Sequence, residues 1–121
     1  MTTYLANSFS PSMLGNLPSD VEFRDITKDE FCQVIANGVL NAIGHQGTAD
    51  LINSLCGSTM KPNRIAIQAR IGDEIYIVNL SVRLEEGKVL TSSEVKRMYE
   101  EGKIKFIRAK IYGKVGDEND H

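Results

Sequence analysis

His45 has the clearest chemical potential in this sequence, because it is a histidine placed between two glycines, Gly44 and Gly47. An imidazole can donate a proton near neutral pH. We expect a helix to begin just after it, where Thr48 is a residue type that caps helices. The free N–H groups at a helix start suit a phosphate, and the glycines would let a substrate approach the backbone closely. The alternative is a histidine that only makes hydrogen bonds within its own loop.

A second group of interest is the charged run from Arg83 to Lys88, which follows the longest predicted strand. Because Arg83 ends that strand, we expect it where loops and ligands usually meet. A guanidinium group stays charged at any working pH and pairs with phosphate through two N–H groups. Arg64 and Arg70 carry the same guanidinium group, and Asn63 offers an amide that can also donate hydrogen bonds. A solvated, charged turn is the alternative for each of these residues.

Other kinds of reactive site lack their usual motifs. The second histidine, His121, lies in the C-terminal tail, and the sequence has no HxxxH, CxxC or clustered Asp/Glu motif, so we expect no metal and no cofactor. A Walker loop and a GxGxxG motif are absent, and no GxSxG elbow supports Ser-His-Asp hydrolysis. Cys32 and Cys56 are expected to be two reduced, buried thiols.

Length and composition predict a single domain over residues 1–115 and a polar tail over residues 116–121, which we expect to be disordered. A hydrophobic content of 41% indicates a globular protein, and no apolar run approaches the roughly 20 residues that span a bilayer. The first residues lack the basic and apolar regions of a signal peptide. We therefore expect a cytoplasmic protein without membrane contact.

The charge balance argues against a protein that coats long DNA or RNA. Fourteen Lys and Arg residues are outnumbered by 16 Asp and Glu residues, and the net charge is −2. Binding along a nucleic-acid polymer depends on neutralising many phosphates with a basic surface. An anionic ligand of this protein must instead be held by a local cluster of Arg and Lys, which favours a small, enclosed ligand.

Hydrophobic periodicity predicts the elements that position these residues. Alternation predicts strands over residues 4–9, 20–24 and 104–112, and a β-hairpin whose strands are residues 63–69 and 74–82. Capping boxes at Thr27 and Thr91 predict two helices, and a further helix is expected between His45 and Gly57. The sum is an α/β fold, a mixed β-sheet of about five strands with helices packed on it.

Four short blocks of sequence, in this order along the chain, resemble the type III anti-CRISPR ring nuclease family of viruses and prophages. The blocks are Tyr4–Ser10, Ala42–His45, Asn63–Ile65 and Arg83–Lys88. Together they extend along almost the whole chain with similar spacing. The resemblance implies a homodimer that binds cyclic tetra-adenylate across its two-fold axis. Type III CRISPR systems make this second messenger to switch on defence ribonucleases, and the family destroys it.

The same resemblance implies roles for individual residues. His45 would be the general acid, and Arg83 and Glu86 would assist at the scissile phosphate. The ligand would be held by Asn7, Ser8, Ser10, Gly44 and Arg64. Glu86 would either orient His45 or accept the proton of the attacking 2′-OH, and the sequence leaves both roles open.

The chemistry of RNA fits this scheme without a metal. The 2′-OH is a built-in nucleophile, and the departing 5′-oxygen leaves poorly unless it is protonated. The expected products are linear di-adenylates with 2′,3′-cyclic phosphate ends. Two other functions stay open at this point: a protein that sequesters a cyclic nucleotide without cutting it, and a small viral regulatory or scaffold protein that binds a protein partner.

Overall fold

Five strands form one mixed sheet in the computed structural model, which describes residues 1–15, 17–84 and 90–113. In chain order, the strands are β1 (Thr3–Ala6), β2 (Ser19–Ile26), β3 (Leu40–Asn41), β4 (Glu74–Leu80) and β5 (Ile104–Gly113). Across the sheet their order is β2-β5-β4-β1-β3. β1 is parallel to both β3 and β4, whereas β5 is antiparallel to β2 and β4. The predicted mixed sheet of about five strands is confirmed.

Three helices, α1 (Lys28–Asn37), α2 (Gln46–Cys56) and α3 (Ser92–Glu100), connect these strands. The side chains of Thr27 and Thr91 each accept a hydrogen bond of 3.1 Å from the backbone N–H three residues later. The Glu94 carboxylate in turn accepts a hydrogen bond of 3.1 Å from the Thr91 N–H, which completes a capping box. Both helices predicted from these threonines are therefore confirmed, since the caps satisfy backbone donors that a helix start leaves unpaired.

The three helices pack on one face of the sheet. Alternate strand residues, including Leu5, Val78 and Phe106, are buried there against residues of all three helices. The rings of Phe31 in α1 and Phe106 in β5 stack with centroids 4.3 Å apart. The opposite face is covered without helices, because Ile67 and other apolar residues of two irregular segments pack onto it. The sheet thus lies between two apolar layers, and burial of these layers is the main stabilising contribution.

The predicted β-hairpin is wrong. Residues 63–69 do not pair with β4, which already has β1 and β5 as its two neighbours. This segment crosses the back of the sheet, where Ala69 exchanges backbone hydrogen bonds of 2.7 Å with Met13 and Gly15. The alternation that predicted a strand is real, because Ile67 and Ala69 are buried. Their apolar side chains cover the sheet instead of extending it.

The predicted pair of reduced thiols is also wrong, because Cys32 and Cys56 form a disulfide. Cys32 lies in α1 and Cys56 is the last residue of α2, and their Cα atoms are 5.1 Å apart. The two helices pack side by side, so a pair of cysteines 24 residues apart in sequence is brought within bonding reach.

Several predicted boundaries shift. β1 ends at Ala6 instead of residue 9, β2 is longer than predicted, and β4 ends at Leu80 instead of residue 82. The two-residue β3 was not predicted. None of the helices in the described ranges is long and apolar enough to cross a membrane. The predicted tail and Glu86 lie outside the described residues.

Candidate active site

Three parallel strands deliver the predicted site residues to one edge of the sheet. β1 pairs in parallel with β3 on one side and with β4 on the other, so all three strands end at the same edge. Asn7 and Ser8 directly follow β1, His45 follows β3 by four residues, and Arg83 follows β4 by three. The carboxyl ends of parallel strands are the usual place for ligands in open α/β sheets. Residues from distant parts of the sequence therefore meet here.

His45 is the N-cap residue of α2, and its carbonyl oxygen accepts a hydrogen bond of 3.1 Å from the Ala49 N–H. The prediction that Thr48 caps this helix is wrong, because Thr48 is buried within the first turn. The imidazole makes no capping bond, and its Nδ1 atom is buried without a hydrogen-bond partner in the described part of the chain. The ring as a whole is half-buried, which leaves Nε2 as the nitrogen open to a ligand.

The space beside the two glycines that flank His45 is occupied by side chains of the protein itself. A Cβ atom on Gly44 would lie 2.9 Å from Arg64 Cγ, and one on Gly47 would lie 3.1 Å from His45 Cε1. A Cβ on Gly47 would also lie 3.5 Å from Leu84 Cδ1. The interpretation that these glycines leave room for a substrate is therefore wrong. They allow close packing of the site's own side chains.

Arg64 is held near His45 by a set of amide hydrogen bonds. The Asn63 backbone N–H donates to the Ile43 carbonyl at 2.7 Å, and Asn63 Nδ2 donates to the Asn41 carbonyl at 2.8 Å. Asn41 Nδ2 in turn donates to the Lys61 carbonyl at 2.7 Å. These bonds fasten the segment after α2 to the segment before it. They place the exposed Arg64 guanidinium at the same edge as His45.

Arg83 is exposed and lies beyond the end of β4 instead of at its last position. Its side chain lines a groove of about 250 Å³ beside α3, together with Val82, Leu84, Leu90, Glu94, Arg97, Met98, Glu101 and Lys103. No hydrogen bond joins Arg83 to His45 within the ranges that the structure describes. Leu84, which follows Arg83, packs against the main hydrophobic core, and its Cδ1 lies 3.5 Å from the point that a Cβ of residue 47 would occupy. Sequence reasoning missed Leu84, because its role depends on a contact between distant segments.

Asn7 and Ser8 are exposed where β1 ends, which suits the predicted contact with a ligand. Ser10 is different, because its side chain caps the short 3-10 turn Pro11–Met13. Its Oγ accepts from the Ser12 N–H at 3.4 Å and lies 3.0 Å from Ser12 Oγ. The Ser10 hydroxyl thus has a local structural role, and a role in ligand binding stays a prediction.

The electrostatic character of this edge comes from Arg64 and Arg83, together with the N-terminus of α2. The first-turn N–H groups of a helix carry a partial positive charge. Among the residues with a described placement, no three His, Cys, Asp or Glu side chains come together in a way that could hold a metal ion. The arrangement can position a phosphate beside an imidazole.

Fold and site together define a small α/β protein with a polar, phosphate-compatible edge where parallel strands end. The chain matches the model of the STIV B116-like family over residues 3–108, and it belongs to that family. This is a family of viral proteins.

Among its relatives, ORF116 of Acidianus filamentous virus 1 is 44% identical over 116 residues, which cover 95% of this chain and all of the relative. Protein 26 of a Sulfolobus islandicus filamentous virus is 28% identical over 92 residues, covering 75% of this chain and 78% of that protein. Among solved structures, B116 of Sulfolobus turreted icosahedral virus superimposes with a TM-score of 0.82 at 37% identity, covering 91% of this chain and 99% of B116. The five-stranded fold with its three helices is thus a fold of this viral family.

Proposed function

We propose that this protein is a metal-independent ring nuclease that cleaves cyclic tetra-adenylate and so suppresses type III CRISPR immunity in the host cytoplasm. One observation carries the proposal. Three parallel strands, β1, β3 and β4, end at one edge and gather there a half-buried histidine, one arginine and two small polar residues, and the segment after α2 adds Arg64. These groups can donate a proton and bind a phosphate, which are two requirements of RNA cleavage through the 2′-OH.

His45 supplies the proton. The 2′-oxygen of the ring attacks the adjacent phosphorus and loses its proton to a base. The bond from phosphorus to the 5′-oxygen breaks, and that oxygen takes a proton from the open Nε2 side of His45. The products carry a 2′,3′-cyclic phosphate at one end and a 5′-hydroxyl at the other. Glu86 either accepts the 2′-OH proton or orients His45.

The α2 N-terminus and the arginines stabilise the charge that builds on the phosphate. First-turn N–H groups lack partners within the helix and lie beside the His45 ring. Such preorganised donors bind a developing anion more tightly than the ground state, which lowers the barrier. Holding the ligand ring so that the 2′-oxygen lies in line with the departing 5′-oxygen also lowers the entropic cost of reaching the transition state.

Dimer formation supplies the remaining charge. The chain has a net charge of −2, so attraction for a ring of four phosphates must be local. Two copies related by a two-fold axis would contribute two His45, two Arg64 and two Arg83 side chains. A four-membered ring contains the same two-fold axis, so a homodimer presents two equivalent sites to two equivalent phosphates. Two cuts then give two linear di-adenylates.

A non-cleaving protein that sequesters the ring is the second candidate. It is favoured by His45 Nδ1, which has no hydrogen-bond partner among the described residues. A catalytic histidine is commonly oriented by a hydrogen bond from its second ring nitrogen to a carbonyl or carboxylate oxygen. In the sequestering case, His45 only donates a hydrogen bond to a phosphate.

Turnover separates the two functions. Labelled cyclic tetra-adenylate is incubated in a large excess over the protein, with EDTA present, and the products are identified by chromatography. A nuclease converts all of the ring to linear di-adenylates with cyclic phosphate ends. A sequestering protein leaves the ring intact and retains no more than a stoichiometric amount. Loss of all cleavage in EDTA, with recovery on adding a divalent ion, contradicts the metal-independent mechanism.

A further inference from the structure

Gly47 is the second residue of α2, and its Cα faces two side chains that belong to the candidate active site. A Cβ atom there would lie 3.1 Å from His45 Cε1, 3.3 Å from His45 Nδ1 and 3.5 Å from Leu84 Cδ1. Carbon atoms in good contact are about 3.5–4.0 Å apart. The His45 ring therefore occupies space that any side chain at position 47 would need.

We propose that Gly47 is a positioning residue of this site, and the proposal rests on the ring nuclease function. The missing side chain lets the His45 imidazole fold over the first turn of α2. One glycine thus sets the place of the proton donor relative to the first-turn N–H groups that would bind the phosphate.

The neighbours of Gly47 determine which group would move if a methyl group were added. Leu84 Cδ1 would be 3.5 Å from the added methyl group, which is an ordinary contact, so Leu84 need not move. The His45 backbone is fixed because its carbonyl accepts the first hydrogen bond of α2. His45 is only half-buried as a residue, so its side chain is the neighbour that yields. An added methyl group therefore shifts the imidazole by a few tenths of an ångström relative to the first-turn N–H groups.

The backbone does not require glycine at this position. The described glycines with positive φ are Gly38, Gly57, Gly72 and Gly102, and Gly47 is not among them. Gly47 lies within a regular helix, where alanine has the higher intrinsic propensity. A glycine that lowers helix stability without a backbone reason is expected where function requires it.

The test compares Gly47→Ala with Ser54→Ala, an exposed substitution on the same helix that lies away from the site. Both variants should have a Tm equal to or above that of the wild type. Gly47→Ala should lower kcat by roughly tenfold or more, because small misplacements of reacting groups have effects of that order. Its KM should change little, since Arg64 and the β1 end are untouched. Ser54→Ala should keep the wild-type kcat.

A spectroscopic readout follows the His45 ring without any turnover. The chain has two histidines, so the imidazole Cε1–H resonance of His45 is assigned by comparison with His121→Gln. This resonance should move in Gly47→Ala and stay in place in Ser54→Ala. Wild-type kcat in Gly47→Ala, or an unmoved His45 resonance, overturns the proposal.

If the wild type does not cleave the ring at all, the proposed function fails. The His45 resonance in Gly47→Ala then still decides whether Gly47 sets the place of the imidazole.

Discussion

Arg64 lies across the backbone of Gly44, with its Nε donating to the Gly44 carbonyl oxygen at 3.3 Å. Its Cγ is 2.9 Å from the point that a Cβ of residue 44 would occupy. An arginine from the segment after α2 is thereby stacked on the loop that leads into His45. Because the rest of Arg64 is exposed, its remaining N–H groups are available to a phosphate beside the imidazole.

Replacing Arg64 tests this placement. Arg64→Ala should weaken binding of cyclic tetra-adenylate by roughly tenfold or more, since hydrogen bonds to charged groups contribute about 1.5–3 kcal/mol. The rate at saturating ligand should fall much less, because His45 and α2 stay in place. Titration calorimetry and single-turnover kinetics separate the two quantities. A variant that binds normally and cleaves slowly would assign Arg64 to catalysis instead.

Arg83→Ala should weaken both ligand binding and the cleavage rate while leaving the proposed dimer intact. The reason is that Arg83 lies at the edge of the sheet where β1, β3 and β4 end, and contributes its positive charge to the candidate site there. Sedimentation velocity measures the oligomeric state with and without ligand. A raised salt concentration should weaken ligand binding only modestly, since the proposed dimer would enclose charges that are exposed on the single chain, and enclosed charges are screened less than surface charges. A monomer that cleaves at the full rate would rule out the shared two-fold site.

The disulfide between Cys32 and Cys56 should stabilise the protein considerably. It closes a loop with a sequence separation of 24, and it ties the end of α2 to α1. A cross-link over a loop of this length contributes about 3 kcal/mol in the chain-entropy model. The wild type should therefore lose Tm in a reductant that breaks the bond. A double variant, Cys32→Ala with Cys56→Ala, should have a low Tm that the reductant does not change. Equal Tm values for the wild type with and without the reductant, once thiol titration has shown the bond broken, would contradict the prediction.

Tyr76 should make the protein less stable at high pH. Burial raises the pKa of this tyrosine above its ordinary value of 10.0, and the nearby Glu74 carboxylate raises it further, while Arg108 lowers it. Its stabilising contribution is complete below pH 10.0 and is lost as the pH rises toward the higher folded-state pKa. In Tyr76→Phe, the fall in unfolding free energy above that pH should be shallower. Denaturant titrations of both proteins between pH 8 and 11 measure the difference, and parallel curves would show that Tyr76 does not cause the fall.

Local signals in the sequence predicted much of the fold. Thr27 and Thr91 predicted helices correctly because each side chain accepts a hydrogen bond from a backbone N–H only three residues later, and at Thr91 the Glu94 side chain completes the capping box. The alternation of β5 also predicted its strand, because Ile104 and Phe106 are buried on one face of the sheet and Ala109 and Ile111 on the other, with a lysine between the two members of each pair. The two-residue β3 is too short to show an alternating pattern in the sequence. It forms because the chain runs beside β1 before it enters α2.

Contacts between distant segments could not be predicted in this way. The alternation in residues 63–69 indicates one buried side, but it does not say whether a strand or the face of a sheet buries it. The packing of α1 on α2 is needed to bring Cys32 to Cys56. For the site, the sequence indicated His45 and its flanking glycines. Only the fold reveals that Arg64 and the His45 ring itself occupy the space those glycines leave.

The most direct test of the account is the single-turnover rate at which His45→Ala converts cyclic tetra-adenylate to linear di-adenylates in EDTA, compared with the wild type. General-acid catalysis typically contributes about a hundredfold or more, so the variant should cleave at least that much more slowly. It should still bind the ring, because Arg64, Arg83 and the α2 N-terminus remain. Cleavage by His45→Ala at close to the wild-type rate would remove His45 from the mechanism and contradict the account.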